Sequence, residues 1–444
     1  MSNLTSHFTN FLDGTVNLNQ SRLDTLDQRL GTIEGFLTGH ADFGELMSSD
    51  ELIPQGSYAH KTIIKPLPKH EYDADALVAM HEQADAEPRD YIAQLYSTFG
   101  SSGTYKTMVN RKTRCVRLVY ANDFHIDLVP YIERGDQKYI TNRNENCFEL
   151  TNPERFTEWL EEQSRITAGT LIPVIRLMKY LRDYKETFTA RSIILTTLIG
   201  GGVNYINLLE DPGYYADVPT TLVHVVDDLD SYLQANAYLP VIADPGGTGE
   251  DYSHRWDQAQ YSNFRARISR YSELMWEAFE ESDDEKSEHL WQGIFGPNFT
   301  APPVEKRAQL HEAASPAPSE QFLERDYGIP YHPNGDRLRI VGRVSRKPGF
   351  RSYDLPRQGN RVIKGRSLTF RITQCDVPPP YDIYWKVRNR GDEAAHQRAL
   401  RGEITAGGTT KTESTLYRGS HWVECYVVKN GVCVARDRHP VMIR

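Results

Sequence analysis

The segment that constrains this chain most is Tyr72-Asp73-Ala74-Asp75-Ala76-Leu77-Val78, an apolar stretch interrupted by two carboxylates one residue apart. In an extended chain successive side chains alternate faces, so Asp73 and Asp75 point the same way, roughly 6.6 Å apart along a strand. Adjacent carboxylates repel, and each is driven towards protonation unless a cation stands between them. Hard oxygen donors in this arrangement suit Mg²⁺, which keeps waters and is shared with substrate phosphates; Mn²⁺ is the alternative.

A third acid comes from a second pair of strands. Cys115-Val116-Arg117-Leu118-Val119-Tyr120 runs through Ala121-Asn122-Asp123 into Phe124-His125-Ile126-Asp127-Leu128-Val129-Pro130, which reads as an antiparallel hairpin. Ile126 and Leu128 share one face, while His125, Asp127 and Val129 share the other. A buried strand bearing one acid among apolar residues needs a partner for it, and joining Asp73 and Asp75 around a metal is sufficient. Ahead of the first strand, Gln55-Gly56-Ser57-Tyr58 opens a polar turn. Alone it is an ordinary turn; with the acids beside it, its N–H groups and the Ser57 hydroxyl suit a polyphosphate, with Gln55 flanking.

In this order, a Gly-Ser turn, a D-x-D strand and an aspartate on a neighbouring strand resemble the polymerase-beta-like nucleotidyltransferases. The longer wordings QGSY, EYDADALV and HIDLVP resemble the CD-NTases, bacterial relatives of cyclic GMP–AMP synthase and oligoadenylate synthetase in anti-phage (CBASS) signalling. The resemblance implies an α+β, bilobal fold of mixed sheet plus helical lobe, with Asp73, Asp75 and Asp127 as catalytic metal ligands. It implies nucleotide contacts by Gln55, Gly56 and Ser57. RLMKYLRDY and ARSIILTTLIGG resemble the helices that supply a lysine and a serine to the triphosphate, here Lys179 and Ser192. Read from the residues alone, Lys179 lies at the edge of the apolar face Leu171, Val174, Ile175, Met178 and Leu181. Thr189 reads as the cap of a helix beginning at Ala190. The implied reaction joins nucleoside triphosphates into a cyclic di- or trinucleotide with release of pyrophosphate, and an effector protein reads the product. A linear oligonucleotide synthetase would share every catalytic residue, and transfer to a protein or transfer RNA is a further alternative.

The 444 residues suffice for two or three domains. Leu23, Leu26, Leu30, Ile33 and Leu37 form a helical packing stripe near the start, and helices are expected over most of 151–300. Within these, Ile242 to Glu250 is a turn-rich loop in which Asp244 reads as structural. The nucleotidyltransferase part is placed at 1–300 and a Pro/Ala-rich linker at 301–319. Residues 320–444 alternate in short strands and suggest an antiparallel β-sandwich. VPPPYDIYWKVRNRGDEA, ALRGEI and LYRGSHWVECYVVKNGVCVARDRHPVMI resemble the adenylyl/guanylyl and SMODS C-terminal sensor domain. Its Trp385, Arg388, Asn389, Arg401, Tyr417, His421 and Trp422 are side chains a ligand could meet, and none is assigned as a site.

Charge divides unevenly. Residues 320–444 hold 23 basic and 13 acidic side chains, a net +10, and the preceding residues carry −19. A solvated basic face is the plain reading, and contact with a nucleotide or nucleic acid the sharper one. No apolar run has the length of a membrane span, so no membrane partner is expected. Met1-Ser2-Asn3-Leu4 begins no secretory leader, and the five cysteines show no metal spacing. Counting back from the Asn430-Gly431 turn pairs Val428 with Cys433 and Cys425 with Arg436, which disfavours a bridge between Cys425 and Cys433. A cytoplasmic protein with reduced thiols is the expectation.

Overall fold

A computed structural model describes residues 4–68, 72–120, 124–303, 320–331, 336–345, 353–355, 360–389, 392–397 and 399–443. The chain divides into two compact units, Met1–Pro303 and Val304–Arg444. Residues 304–319 of the expected linker, and the Ala121-Asn122-Asp123 turn, lie outside the described residues.

The first unit begins with helices α1 (Thr5–Phe11), α2 (Gln20–Thr38) and α3 (Ala41–Gly44). On α2 the stripe Leu26, Leu30, Ile33 and Leu37 is buried, and Asn19 caps the helix by accepting from Arg22 N–H. The strand β1 (Ile53–Gln55) leads into the single turn α4 (Gly56–Ala59), then β2 (Tyr72–Ala79) and α5 (Pro88–Ser101). Strands β3 (Val109–Arg111), β4 (Val116–Tyr120), β5 (Phe124–Arg134), β6 (Gln137–Asn142) and β7 (Cys147–Thr151) complete a seven-stranded sheet. Its main path is β1-β2-β5-β4-β3, with β6 on the far stretch of β5 and β7 on β6. The expected hairpin is β4 against β5. The pair that matters most, β2 with β5, is parallel. Ala74, Ala76, Val78, Ile126 and Leu128 pack on one face with α2 and α5 residues such as Leu30 and Leu95. The acids are thereby left on the opposite face.

The helical remainder holds α6 (Pro153–Ile166), α7 (Leu171–Lys185), α8 (Ser192–Gly201), α9 (Tyr205–Glu210), α10 (Val218–Ala235), α11 (Gln258–Glu280) and α12 (Asp284–Phe295). These share a core with α1 through Phe8, Phe11, Leu177, Leu195, Val226, Phe264 and Trp291. Asn152 caps α6, as its sequence suggests. The start of α8 differs from expectation: the helix begins at Ser192, Arg191 is its cap residue, and the Thr189 carbonyl instead accepts from the Trp256 indole at 2.8 Å. Asp244 does hold its own loop, accepting from Gly246 N–H, Thr248 and Tyr252. Among the described residues no helix is long and apolar enough to cross a membrane.

In the second unit a short α13 (Leu323–Tyr327) precedes β8 (Leu338–Ser345), β9 (Tyr353–Asp354), β10 (Arg361–Val362), β11 (Ser367–Cys375) and β12 (Asp382–Arg388). After α14 (Asp392–His396) come β13 (Arg401–Gly407), β14 (Thr410–Ser414), β15 (Gly419–Lys429) and β16 (Val432–Ile443). A five-stranded sheet, β10-β16-β15-β12-β13, and a four-stranded one, β14-β11-β8-β9, share one core, so the unit is a β-sandwich. Its pairs are antiparallel except β10 with β16. Trp385 is fully buried in that core with its indole N–H on the Gly408 carbonyl, so it is packing rather than a ligand platform. All five cysteines are free. The β15–β16 register departs from the expected one: a bulge between Val427 and Val428 keeps Val428 opposite Cys433 but sets Cys425 opposite Asp437 instead of Arg436.

Replacing Trp385 with alanine removes the largest buried side chain of this core and an indole hydrogen bond. The expected cost is about 3–5 kcal/mol, measured by denaturant unfolding.

Candidate active site

The site is assembled by strand register. Parallel pairing of β2 with β5 places Asp75 directly beside Asp127 and Asp73 beside His125. On the other side of β2, Gln55 lies opposite Asp75, at the point where β1 turns into Gly56 and Ser57. Gly56 has φ +64°, and a Cβ there would stand 2.4 Å from Asp75 Oδ2. Only glycine permits both the backbone conformation and this approach. The Gly-Ser turn is therefore pressed against the central acid.

Asp75 is the electrostatic focus of the group. Its carboxyl is pushed well above the usual carboxylate range by burial, by Asp73 and by Asp127, and Arg117 only partly offsets these. A carboxylate in that position has two remedies, a proton or a cation. The donors facing it are hard oxygens, and the residues present fit a divalent ion of the Mg²⁺ type.

Asp127 is already engaged. Arg117, its cross-strand neighbour on β4, donates Nε–H to Oδ1 at 2.8 Å and Nη2–H to Oδ2 at 2.7 Å. Such a two-point fork is the strongest clasp an arginine makes on a carboxylate. Among the described residues, three potential ligand atoms lie within 4.8 Å of one another only at Glu145, Cys147 and Glu149. Asp73, Asp75 and Asp127 are side by side but not drawn to that distance, as expected of like charges with one of them bound to an arginine. At the other cluster Glu149 is taken by Arg114 and Asn142.

Lys179 reaches the same turn from α7. It is buried, at 3% exposure, rather than on the edge of its helix face. Its ammonium donates to the Thr62 hydroxyl at 2.7 Å and the Thr62 carbonyl at 3.2 Å, while Thr62 N–H bonds the Ser57 carbonyl. Lys179 thus holds the closing end of the loop that Gly56 and Ser57 open. Burial and the nearby Arg182 pull this lysine down to about 7, and Asp73 is among the charges that resist the shift. Arg176, on the previous turn of α7, caps the Lys61 carbonyl, and His60 stacks on Phe156 at 4.6 Å. Ser192 joins this group indirectly: Arg182, three residues beyond Lys179, donates to its hydroxyl at 3.2 Å and to the Ala190 carbonyl at 2.8 Å.

The sequence reading missed Arg117, Thr62, Arg176 and Arg182. Of these, Arg117 carried a readable signal, being a basic residue on the strand antiparallel to Asp127. Its direct opposition depends on a register that the sequence does not display.

Residues 1–164 match the family model of the Second Messenger Oligonucleotide or Dinucleotide Synthetase domain, and residues 317–444 that of the Adenylyl/Guanylyl and SMODS C-terminal sensor domain. A cyclic AMP-AMP-AMP synthase of Acinetobacter sp. (strain ATCC 27244 / 9458) is 23% identical over 294 residues, spanning 64% of this chain and 82% of that protein. A c-di-GMP synthase of Roseivirga ehrenbergii is 29% identical over 127 residues, 28% of this chain and 34% of that protein. Among solved structures, the Bradyrhizobium diazoefficiens CD-NTase CdnG in complex with GTP aligns with a TM-score of 0.54 at 17% identity, covering 70% of this chain and 99% of that one. The E. coli MS115-1 CdnC with ATP aligns with a TM-score of 0.52 at 18% identity, covering 67% and 98%. At these identities the structural matches speak for the fold.

The depressed Lys179 value has a sign that can be tested. Between about 7 in the folded state and 10.5 in the unfolded one, the unfolded chain binds more protons, so this lysine makes stability rise with pH across that window. Lys179→Met is expected to abolish that component, so that the melting temperature rises less between pH 7 and pH 9.5 than in the wild type. Thermal unfolding at pH 7 and pH 9.5 for both proteins measures it.

Proposed function

We propose that this chain, a CD-NTase with a C-terminal sensor-type domain, joins nucleoside triphosphates into a cyclic di- or trinucleotide and releases pyrophosphate. The observation that carries the reading is the in-register meeting of Asp75 with Asp127, with Gly56 pressed against the Asp75 carboxylate. The names of the relatives, one a cyclic trinucleotide synthase and the other a cyclic dinucleotide synthase, support both product sizes.

The donor triphosphate lies along the turn at Gly56 and Ser57, where backbone N–H groups and the Ser57 hydroxyl meet its outer phosphates. Gln55, opposite Asp75 on β1, borders the nucleotide. Lys179 exchanges its Thr62 contacts for a phosphate oxygen, and the incoming negative charge compensates the burial that now disfavours its ammonium. Ser192 is held for a further phosphate contact by Arg182. Asp73, Asp75 and Asp127 would hold divalent metal, Mg²⁺ or Mn²⁺, whose chemistry when bound is to neutralise triphosphate charge and acidify the acceptor ribose hydroxyl. Asp127 takes part once Arg117 yields its carboxylate. The acceptor oxygen forms its bond to the α-phosphorus in line with the departing pyrophosphate, and the hydroxyl proton leaves towards the acid cluster. A second round on the reversed linear product closes the ring. Further partners of this reading are an effector that senses the product and the setting of anti-phage signalling.

Incubation with all four NTPs and Mg²⁺ or Mn²⁺, followed by mass spectrometry, is expected to give a product that phosphatase leaves intact, because a ring has no terminal phosphate. A phosphatase-sensitive oligomer would indicate a linear synthetase, and absence of any small product a macromolecular acceptor. Asp73→Asn combined with Asp75→Asn is expected to lower product formation by at least about a thousandfold with an unchanged circular dichroism spectrum. Turnover at the wild-type rate would refute the site.

A further inference from the structure

Part of the outer face of the five-stranded sheet in the second unit carries buried charge, which is unusual for a sandwich surface. Register aligns Lys386 on β12, Glu424 on β15 and Arg438 on β16 in one row, with Arg388 one row away on the same face. Lys386 and Arg388 are each only 3% exposed. Within the sheet the nearest carboxylate is Glu424, but Arg438 already holds it at 2.6 Å and Tyr426 donates to it at 2.8 Å, leaving Lys386 at 3.7 Å. From its own strands the sheet thus offers these two cations one shared carboxylate at 3.7 Å from Lys386, while Arg388 donates to the Asn389 and Leu400 carbonyls.

Their counter-charge comes from elsewhere in the unit. Residues 320–331 cross this face as a strap, and Glu320 places one carboxylate oxygen 2.8 Å from Lys386 Nζ and the other 3.2 Å from Arg388 Nε. Phe322 then covers the lysine, its ring centre 4.3 Å from Nζ. A single carboxylate bridging two buried cations, under an aromatic cover, has the form of an occupied oxyanion site.

The rest of the strap is tied at separate points, with the Tyr327 hydroxyl donating to the Ile404 carbonyl at 3.0 Å, Cys433 N–H donating to the Pro330 carbonyl at 2.9 Å, and Arg436 lying over the Tyr331 ring. Gln321 exchanges hydrogen bonds with the edge strand β13, donating N–H to the Gly402 carbonyl and accepting from Ile404 N–H. Leu323 is its buried apolar anchor, whereas Phe322, Tyr327 and Tyr331 remain more than a third exposed. Gly402, with φ +132°, is cut away to admit the strap: a Cβ there would stand 2.8 Å from Glu320 Cα. A buried ion pair contributes little net stability compared with an apolar pair of the same shape, because desolvation consumes most of the attraction. Stability alone gives no reason to bury Lys386 and Arg388 under an acid that lies outside the sheet.

We propose that Lys386 and Arg388 form an anion-binding site for a phosphate-bearing small molecule, and that Glu320 fills it as an internal stand-in which the ligand displaces together with the strap. A phosphate offers more oxygens and more charge than a carboxylate, so it satisfies both cations without the strap's help. The site lies in a different unit from the acids of the catalytic proposal and stands independently of it.

The strap carries its own reporter. Arg325 lies on α13, donating to the Glu320 carbonyl and to Asp326. Trypsin can cut after it only when the strap opens. In the full-length chain, in phosphate-free buffer, addition of inorganic phosphate or AMP at millimolar concentration is expected to accelerate this cleavage about tenfold, by opening the strap. Acceleration by phosphate alone identifies the phosphate group as sufficient, and acceleration by AMP alone identifies a nucleotide. Glu320→Gln is expected to be cut at the fast rate without ligand, and Lys386→Met to lose the response to ligand. Gly402→Ala, which leaves both cations and Glu320 in place but crowds the strap backbone, provides a second opening variant if Glu320→Gln does not fold. A wild-type rate unmoved by either ligand, or a Lys386→Met protein that responds as wild type does, would overturn the proposal.

Discussion

Three carboxylates in adjacent register on two parallel strands create a repulsion that the surrounding structure is arranged around. Asp75 feels it most, standing between Asp73 on its own strand and Asp127 on the next. The sheet buries its opposite face against α2 and α5, and on the face of the acids apolar packing is confined to the stretch beyond them, where Leu77, Ala79, Val129 and Tyr131 cluster. Arg117 relieves part of the charge from β4, and the glycine at position 56 lets the preceding turn come within reach of the carboxylate. In the proposed reaction, placing a cation here and placing a polyphosphate here are one problem, since each supplies what the other needs.

Lys179 follows the same logic from the helical side. An ammonium this deeply buried is disfavoured, and Thr62 provides its hydrogen bonds. Because Thr62 is also bonded to the Ser57 carbonyl, the lysine and the Gly-Ser turn are mechanically joined. Arg176 on Lys61 and Arg182 on Ala190 repeat the pattern, with cations of α7 holding backbone carbonyls of neighbouring loops.

How much of this was legible in the sequence depends on whether the interaction was local. Alternation along Tyr72–Ala79 and Phe124–Arg134 told which side chains share a face, and the hairpin of β4 with β5 followed from the short connection between them. That β2 and β5 are parallel neighbours was not readable, because nothing local distinguishes parallel from antiparallel pairing at a separation of fifty residues. The placement of Asp75 opposite Asp127 depends on that pairing, whereas the clasp of Arg117 belongs to the β4–β5 hairpin. Lys179 looked like a helix-edge residue because the apolar stripe of α7 was counted without the loop that covers it; Thr62 turns an edge position into a buried one. At the start of α8, Thr189 had the chemistry of a cap but not the position, its carbonyl being claimed by Trp256.

The extra residue at Val434 on β16, opposite the Val427–Val428 step, has a consequence for how charge sorts between the two sides of a sheet. With an uninterrupted ladder from the Asn-Gly corner, Glu424 would stand across from Asp437, and Arg438 would be turned inwards among Val423 and its apolar companions. With the bulge, the acid meets the arginine, while Asp437 faces the four-stranded sheet and accepts from Ile340 N–H. One inserted position thus reverses the inside-outside parity of everything downstream on its strand. A deletion of a single amino acid there would be felt as two misplaced charges rather than as a shorter loop.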